Sequence, residues 1–421
     1  MKVITPQAND KGKKVLFLFT TSYPYGNFEQ NLNIEAEFLS QYFEKVYVFS
    51  IEQGKSHRSM PPNFYAIDIS KLAIFKKNVF FSQLFGFLII SFQEISKTPF
   101  SGSYYLKHVK NCFSKLFNAY SIANALDNLI IKEGLQQDEI HFYSYWFYHW
   151  ALVSAFFKKR GTRTVNVVSR GQMADLYQDP YDFAPNPFHY FKLKKIDRFF
   201  STSAHGANYL KNKFPEFEKK IGISRSGIST ASVNPFPAED EFIIVTCSTL
   251  QKRKRIYLMP EILKRIKFNI KWVHFGDGPE MNDLKGAVKV LPDNVKVELR
   301  GFIENKDLFL YYENSPISVF LNLSTAEGLP FSIIEAIAFG IPIIATDVFG
   351  TPEVCTPETG LLLPKELDAE MVANTLIRFK DSAMNSASFR KNVKTFWDEE
   401  YNSDRNYIDF IERAFGELVN K

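Results

Sequence analysis

The chain has 421 residues, of which 45% are apolar and 23% charged, and its formal net charge is +5. This composition excludes a disordered chain, and the length predicts two domains of about 200 residues each. The small positive excess permits contact with an anionic nucleotide or an anionic membrane surface without demonstrating either one.

The cysteine content and the N-terminus indicate the compartment. Cys112, Cys247 and Cys355 are odd in number and widely spaced, which matches no metal motif and indicates reduced, buried thiols. The first thirteen residues are polar, and the apolar run at 15–19 is short and typical of a strand. We therefore expect a cytoplasmic protein without a signal peptide.

The N-terminal half alternates apolar strands with amphipathic helices, which predicts a doubly wound α/β domain with a parallel sheet. The predicted strands lie at 14–20, 46–51, 140–144, 164–169 and 199–203, with helices at 31–43 and 204–214. The loop 21–29 follows the first strand, at the sheet edge where such folds bind ligands. Gly26 and Asn27 are therefore candidates for a ligand-binding loop, and an ordinary turn is the alternative.

Residues 71–120 interrupt this alternation with lysines interleaved among phenylalanines. The apolar run at 79–92 is shorter than the roughly 20 residues that a spanning helix needs. A basic, aromatic helical segment of this kind suits the interface of a membrane. Because the chain contains 42 phenylalanines, helices packed within the N-terminal domain are the alternative.

The C-terminal half repeats the strand and helix alternation after a proline-containing linker at 229–240. Its predicted strands lie at 242–247, 270–275, 295–300, 317–323, 343–347 and 360–363, and the tail 394–415 is predicted to be helical. Four cations, Lys252 to Arg255, follow the first of these strands. Because basic residues at a helix start oppose its dipole, they favour a bound anion there, and a solvated helix start is the alternative.

The most informative stretch is 324–342, in which Glu327 and Glu335 stand eight residues apart. A buried strand enters it, a Gly-Leu-Pro loop leads to a helix, and a second apolar strand leaves it. Unpaired N–H groups at that helix start favour an anion such as a diphosphate. Ser332 and Glu335 also fit a capping box, which is a structural alternative for Glu335 only.

This stretch resembles the Glu-x7-Glu signature of the retaining glycosyltransferases of family four. The likeness includes Gly-Leu-Pro after Glu327, Ala336 after Glu335 and Gly-x-Pro at 340–342. It implies an α/β GT-B fold, in which two doubly wound Rossmann-like domains face a central cleft. The expected divisions are an acceptor domain at 1–230, a nucleotide-sugar domain at 240–393 and a helical tail at 394–421 that crosses back to the first domain.

The resemblance also implies roles for single residues of the second domain. Glu327 would position the hydroxyl groups of the donor sugar, and Glu335 would accept hydrogen bonds from the nucleotide ribose. Lys254 matches a lysine that binds the donor diphosphate, whereas Thr249 stands where the family has an arginine. The remaining donor-binding candidates are backbone or loop positions: Gly276, Phe302, Ile303, Gly328, Leu329, Pro330, Phe331 and Ser332.

In the first domain, the resemblance implies that the loop with Gly26 and Asn27 faces the acceptor and the donor phosphates. Residues 169–177 resemble the family segment Ser-Arg-x-His-Gly-x-Asp-Leu-Tyr. The family histidine contacts the donor sugar, and Gln172 occupies its position. An amide donates a hydrogen bond but cannot take up a proton near neutral pH, so a step that needs a base is in doubt. Arg170 is expected to reach a phosphate with Asp175 orienting it, and a buried ion pair at the strand end is the alternative.

The resulting expectation is a retaining hexosyltransferase that moves a sugar from a nucleotide-diphosphate donor, UDP- or GDP-linked, to a carbohydrate or lipid-linked acceptor. Polysaccharide or lipopolysaccharide assembly at the cell surface is the expected context, with contact to the inner membrane face through 71–120. The resemblance implies no metal and no cofactor, and no nucleic-acid motif is present. Two alternatives are a GT-B protein that binds without transfer, which Gln172 and Thr249 support, and a GT-B sugar-nucleotide epimerase.

Overall fold

The computed structural model describes most of the chain, in eight segments. They are 13–26, 29–54, 58–69, 77–97, 99–177, 186–230, 232–238 and 241–416, with the backbone alone for 77–82, 99–109 and 174. The chain divides into two compact units. The first comprises Met1–Ser224 and Tyr407–Lys421, and the second comprises Arg225–Asn406.

The first unit is built on a seven-stranded parallel sheet in the order β3-β2-β1-β4-β5-β6-β7. The strands are β1 (Lys14–Thr20), β2 (Lys45–Ser50), β3 (Phe64–Ile67), β4 (Glu139–Ser144), β5 (Asn166–Gly171), β6 (Arg198–Ser201) and β7 (Ile221–Ile223). The helices are α1 (Leu32–Tyr42), α2 (Lys77–Lys97), α3 (Pro99–Lys132), α4 (His149–Arg160), α5 (Met173–Leu176), α6 (His189–Lys195) and α7 (Ala204–Lys213).

Strand β1 shows why this sheet is predictable from the sequence. Its residues from Val15 to Phe19 are all fully buried, since alternate side chains enter cores on the two faces of the sheet. Phe17 stacks on Phe142 of β4 with ring centroids 5.2 Å apart. Leu16 and Leu18 pack on the other face, beside residues of α1.

The segment 71–120 forms two long helices between β3 and β4, as far as the structure describes it. Helix α2 has 21 residues and α3 has 34. Phe87 of α2 is buried and lies against Tyr120 and Phe156, with ring centroids about 6 Å apart. Among the described residues, no helix combines the length and the apolar character that crossing a membrane requires.

The second unit is built on a six-stranded parallel sheet in the order β10-β9-β8-β11-β12-β13. The strands are β8 (Ile243–Cys247), β9 (Ile270–Phe275), β10 (Val295–Leu299), β11 (Val319–Asn322), β12 (Ile343–Thr346) and β13 (Gly360–Leu363). The helices are α8 (Met259–Leu263), α9 (Met281–Val288), α10 (Asn305–Asn314), α11 (Phe331–Ala338), α12 (Ala369–Lys380) and α13 (Ala387–Glu400). The last helix, α14 (Ser403–Phe415), begins in the second unit and belongs to the first unit from Tyr407 onward.

The structure confirms two doubly wound α/β domains but differs from the sequence in detail. The second unit begins at Arg225, inside the predicted first domain. The predicted tail consists of two helices, because the chain turns at Tyr401 and Asn402, where Ile228 bridges to Asn402. Between β12 and β13 the chain forms a single 3₁₀ turn, Thr351–Glu353.

Candidate functional site

The candidate site of the second unit lies where its strand order reverses, at the carboxyl ends of β8 and β11. Open parallel sheets bind ligands in the crevice at such a point. The loop after β8 carries the basic residues, and the loop after β11 carries Glu327. The N–H of Thr325 donates to the carbonyl of Arg253 at 2.8 Å, so the two loops are joined directly.

Arg255 holds the loops after β8 and β11 together through hydrogen bonds to backbone carbonyl groups. Its Nε donates to the Leu323 carbonyl at 2.5 Å, Nη2 donates to Ser324 O at 3.2 Å, and Nη1 donates to Lys365 O at 3.1 Å. The side chain is buried, and its backbone is left-handed with φ 53°. Arg255 is therefore occupied by carbonyl groups, unlike the exposed Arg253 with which the sequence grouped it as a diphosphate cation.

Lys254 and Glu327, two predicted site residues, form an ion pair. Lys254 Nζ lies 2.5 Å from Glu327 Oε1, and the two side chains are 13% and 12% exposed. The Ser324 hydroxyl donates to the same oxygen at 2.7 Å, and the Asn322 amide lies 3.4 Å away. Burial alone would raise the pKa of Glu327, but the Lys254 ammonium and these donors hold the pKa below its usual value. Glu327 is therefore ionised near neutral pH.

The second oxygen of Glu327 and the first N–H groups of α11 have no hydrogen-bond partner among the described residues. Among the described residues, none hydrogen-bonds to Glu327 Oε2. Helix α11 begins after Pro330, and the N–H groups of Ile333 and Ile334 donate to the Pro330 carbonyl. The remaining N–H groups of the loop and first turn have no described acceptor: those of Gly328, Leu329, Phe331 and Ser332. N–H groups at a helix start that lack acceptors are the groups to which proteins bind anions.

Glu335 lies in the buried part of α11. Its only described hydrogen bond is from Asn305 Nδ2, at the start of α10, to Oε1 at 3.1 Å. Burial raises the pKa of Glu335 to about 8, although the Asn305 amide opposes the shift. The capping-box alternative for Glu335 is wrong, because Pro330 is the N-cap and Glu335 lies four residues beyond the first helical residue.

Cys247, at the end of β8, borders the same group. Burial raises the pKa of its thiol, and the Glu335 carboxylate is the next cause of that shift. Sequence reasoning treated Cys247 as a core thiol and missed Asn305, since no local pattern connects either residue with Glu335.

Gly276 ties the loops after β8, β9 and β10 together. Its φ is 134°, and a Cβ there would lie 1.8 Å from the Ser248 carbonyl oxygen, so only glycine fits. Its N–H donates to Gly301 O at 2.7 Å. Thr249 is exposed, Phe302 is 64% exposed and Ile303 is half-buried.

The loop after β1, in the first unit, holds an internal carboxylate. Glu29 accepts hydrogen bonds from the N–H groups of Thr21, Ser22 and Tyr23 at 2.7–2.9 Å. Gly26 lies within this loop, and a Cβ there would approach Glu52 Oε2 at 3.0 Å. Asn27 lies outside the described residues. The loop that the sequence predicted for an acceptor or phosphate thus directs three of its N–H groups at Glu29.

Arg170 is fully buried in the first unit. Its Nη1 donates to Glu35 Oε2 at 2.7 Å, and its Nη2 donates to the Ser224 hydroxyl at 2.7 Å. The geometry is that of the buried ion pair raised as the alternative from the sequence. Asp175 does not orient Arg170 either.

Asp175 and Gln172 are instead hydrogen-bonded to each other at the start of α5. Asp175 Oδ1 accepts from the Gln172 N–H at 2.6 Å, and Oδ2 accepts from the Phe147 N–H at 2.6 Å. Gln172 and Asp175 form a capping box. Burial raises the pKa of Asp175 to about 7, against these backbone donors.

Comparison with known sequences finds a family model that matches a part of the second unit. Residues 230–396 match the family model described as "Glycosyl transferases group 1". The chain is 27% identical over 195 residues to the alpha-monoglucosyldiacylglycerol synthase of Acholeplasma laidlawii, covering 43% of this chain and 47% of that protein. It is 27% identical over 139 residues to the O-antigen biosynthesis glycosyltransferase WclY of Escherichia coli, covering 33% and 34%. The alignments thus span less than half of each relative's length.

Comparison with solved structures extends over both units. The lipopolysaccharide outer core galactosyltransferase WaaB superposes with a TM-score of 0.67 at 13% identity, covering 96% of this chain and 99% of that one. Anabaena HepE, crystallised with UDP-glucose, gives a TM-score of 0.60 at 14% identity, with coverage of 95% and 99%. At these identities the likeness establishes the fold, and it confirms the expected GT-B architecture.

Proposed function

Since residues 230–396 match the group 1 glycosyl transferases and the chain has the GT-B fold, we propose that this protein is a retaining glycosyltransferase. It transfers a sugar from a nucleotide-diphosphate donor to a hydroxyl group of a carbohydrate or lipid-linked acceptor. The observation that carries this proposal is the Lys254–Glu327 ion pair in the loops that precede α11, together with the first N–H groups of α11, which have no acceptor among the described residues.

The donor diphosphate binds at the start of α11. The unpaired N–H groups from Gly328 to Ser332 donate to its oxygens, and the helix dipole adds to the attraction. Lys254 keeps its pair with Glu327 and also donates to the phosphate next to the sugar. As the bond to the sugar breaks, the growing negative charge is held by donors that are already in place, and no metal ion is needed.

The two glutamates bind the hydroxyl groups of the donor. Glu327 is ionised, and its free Oε2 accepts a hydrogen bond from the donor sugar. Glu335 accepts hydrogen bonds from the ribose, and these stabilise its ionised form. The acceptor hydroxyl attacks from the face that the diphosphate leaves and passes its proton to the departing phosphate oxygen. The configuration is therefore retained without an enzymatic nucleophile.

The donor and pathway proposed here follow the named relatives. A UDP-linked hexose is the first candidate, because the HepE structure contains UDP-glucose. Assembly of a cell-surface polysaccharide or lipopolysaccharide is the proposed context. WaaB is described as a lipopolysaccharide outer core galactosyltransferase and WclY as an O-antigen biosynthesis glycosyltransferase.

Donor binding and transfer are tested in two steps. A thermal-shift panel of UDP-, GDP- and ADP-sugars identifies the donor, since a ligand at 100 times its dissociation constant adds about 2.7 kcal/mol of stability. Release of the nucleoside diphosphate is then measured with and without candidate acceptors.

The outcomes separate the proposed transferase from its rivals. Acceptor-dependent release supports transfer. Conversion of the donor without any acceptor would indicate an epimerase, and binding without turnover would indicate a protein that binds without transfer. No stabilisation by any of the three donor classes would reject the proposed site.

A further inference from the structure

Helix α2 carries a continuous exposed apolar face, which we name the α2 stripe. It consists of Phe85, Leu88, Ile89, Phe92 and Ile95, whose side chains are 75%, 50%, 43%, 72% and 39% exposed. Their spacing of three or four residues places them on one side of the helix. A helix at a protein surface normally turns a polar face toward water.

The opposite face of α2 is fixed in the first unit. Phe87 and Ile90 are buried in its core. Glu94 is also fully buried, and its carboxylate accepts the N–H groups of His189 and Tyr190 at 3.0 and 3.2 Å, at the start of α6. Because this face is held by both packing and hydrogen bonds, the α2 stripe cannot rotate inward without breaking them.

The segment that contains α2 carries a large net positive charge. Residues 71–120 contain seven lysines and one acidic residue, a net charge of +6, whereas the whole chain carries +5. The one acidic residue is Glu94, which is buried. Lys110 and Lys115 are exposed on α3, which packs against α2. The entire positive excess of the chain therefore lies within this segment.

We propose that the α2 stripe docks onto an anionic lipid surface, with α2 lying in the plane of the interface. Exposed apolar side chains and a cationic surround are the two signals that reversible membrane binding requires. A symmetric dimer through the same stripe would place two segments of charge +6 against each other, which disfavours a second copy as the occupant. The proposal does not rest on the proposed enzymatic activity.

Cosedimentation of the full chain with lipid vesicles tests the proposal. Vesicles of phosphatidylcholine containing about one-third phosphatidylglycerol should bind the protein, and pure phosphatidylcholine should bind it much less. High salt should weaken the binding. The Lys110→Gln/Lys115→Gln variant should lose affinity for the anionic vesicles.

Matched variants locate the contact. Phe85→Ser/Phe92→Ser should reduce partitioning about tenfold or more, since it removes the two most exposed rings. Ile131→Ser/Val290→Ser removes two exposed apolar side chains elsewhere and should bind like the wild type. Unchanged melting temperatures verify that both variants fold.

A spectroscopic measurement serves as the second readout. Phe92→Trp should add fluorescence that brominated lipids quench, whereas Val290→Trp should add fluorescence that they do not quench. The proposal is overturned if the wild type stays in the supernatant with anionic vesicles, or if Phe85→Ser/Phe92→Ser binds them equally well. A wild-type dimer that only the Phe85→Ser/Phe92→Ser variant dissociates, without vesicle binding, would overturn it in favour of a second copy.

Discussion

Lys254 is a nearly buried cation whose described partner is Glu327, and the proposed donor gives it a second one. Lys254→Ala should weaken binding of the nucleoside diphosphate by roughly 1.5–3 kcal/mol, the size of a charge-assisted hydrogen bond. Titration calorimetry measures this loss as a tenfold to hundredfold rise in Kd. Lys264→Ala is the control, because Lys264 also pairs with a glutamate but at an exposed position. An unchanged Kd in Lys254→Ala would remove Lys254 from the site.

Glu335 makes stability depend on pH. The pKa of Glu335 is about 8 in the folded protein, compared with 4.5 for an unperturbed glutamate, which represents the unfolded chain. At a pH between these two values, the folded protein therefore holds a proton that the unfolded chain has released. The free energy of unfolding of the wild type therefore falls as pH rises from about 5 to 8.

Glu335→Gln should abolish this dependence. At pH 8 the variant should be more stable than the wild type by roughly 2–4 kcal/mol, and at pH 5 the two should be nearly equal. Urea unfolding at both pH values measures the difference, with the exposed Glu366→Gln as control. The same variant should bind nucleotide more weakly, because an amide replaces the carboxylate that we propose as the acceptor for the ribose hydroxyl groups. Equal stability at pH 8 would contradict the raised pKa.

Individual residues were predictable where a local motif names them and missed where their partners are remote. Glu327, Lys254 and Glu335 stand in patterns of fixed spacing. Asn305 pairs with a residue 30 positions away, and no spacing rule connects the two. Arg170 was assigned a phosphate from a local likeness, whereas its carboxylate partner is 135 residues distant.

At the scale of elements, the strands followed from the sequence because both faces of each sheet are covered. A strand buried on both faces carries a continuous apolar run, as β1 does from Val15 to Phe19 and β12 from Ile343 to Ala345. Strand β3 was missed, since it has four residues and is only partly buried at the sheet edge. The sequence predicts one uniform basic cluster after β8, from Lys252 to Arg255. A run of four basic residues does not reveal that Arg255 has a left-handed backbone and a buried side chain.

Arg255 should therefore behave as a structural element of the loops after β8 and β11. Arg255→Ala leaves the carbonyls of Leu323 and Lys365 without their donors and should cost roughly 2–4 kcal/mol of stability. Arg255→Lys should restore little, because an ammonium cannot span the same acceptors. Denaturant unfolding measures the loss, with the exposed Arg253→Ala as control. A stable Arg255→Ala variant with weakened donor binding would instead place Arg255 among the diphosphate ligands.

At the scale of the whole molecule, each unit has its own sheet and its own buried cores. The Arg170–Glu35 pair belongs to the first unit alone. Tyr143 also donates to Glu35 at 2.7 Å, and the Arg170 guanidinium lies 4.7 Å from the ring centre of Phe410 in α14. This cluster joins α1, β4, β5 and the end of α14, which are remote in sequence.

Arg170→Met should destabilise the first unit by roughly 3–5 kcal/mol, because it leaves the Glu35 carboxylate buried without its cation. Glu35→Gln/Arg170→Met should recover part of this loss, since neither charge then remains. Hydrogen exchange in urea, followed peptide by peptide, should show early opening of β4 and β5 while β8 and β11 keep their protection. Donor affinity should be retained where the second unit stays folded. The contrary outcome is a fully folded Arg170→Met variant that loses as much donor affinity as Lys254→Ala. That result would support the sequence-based expectation that Arg170 contacts a phosphate.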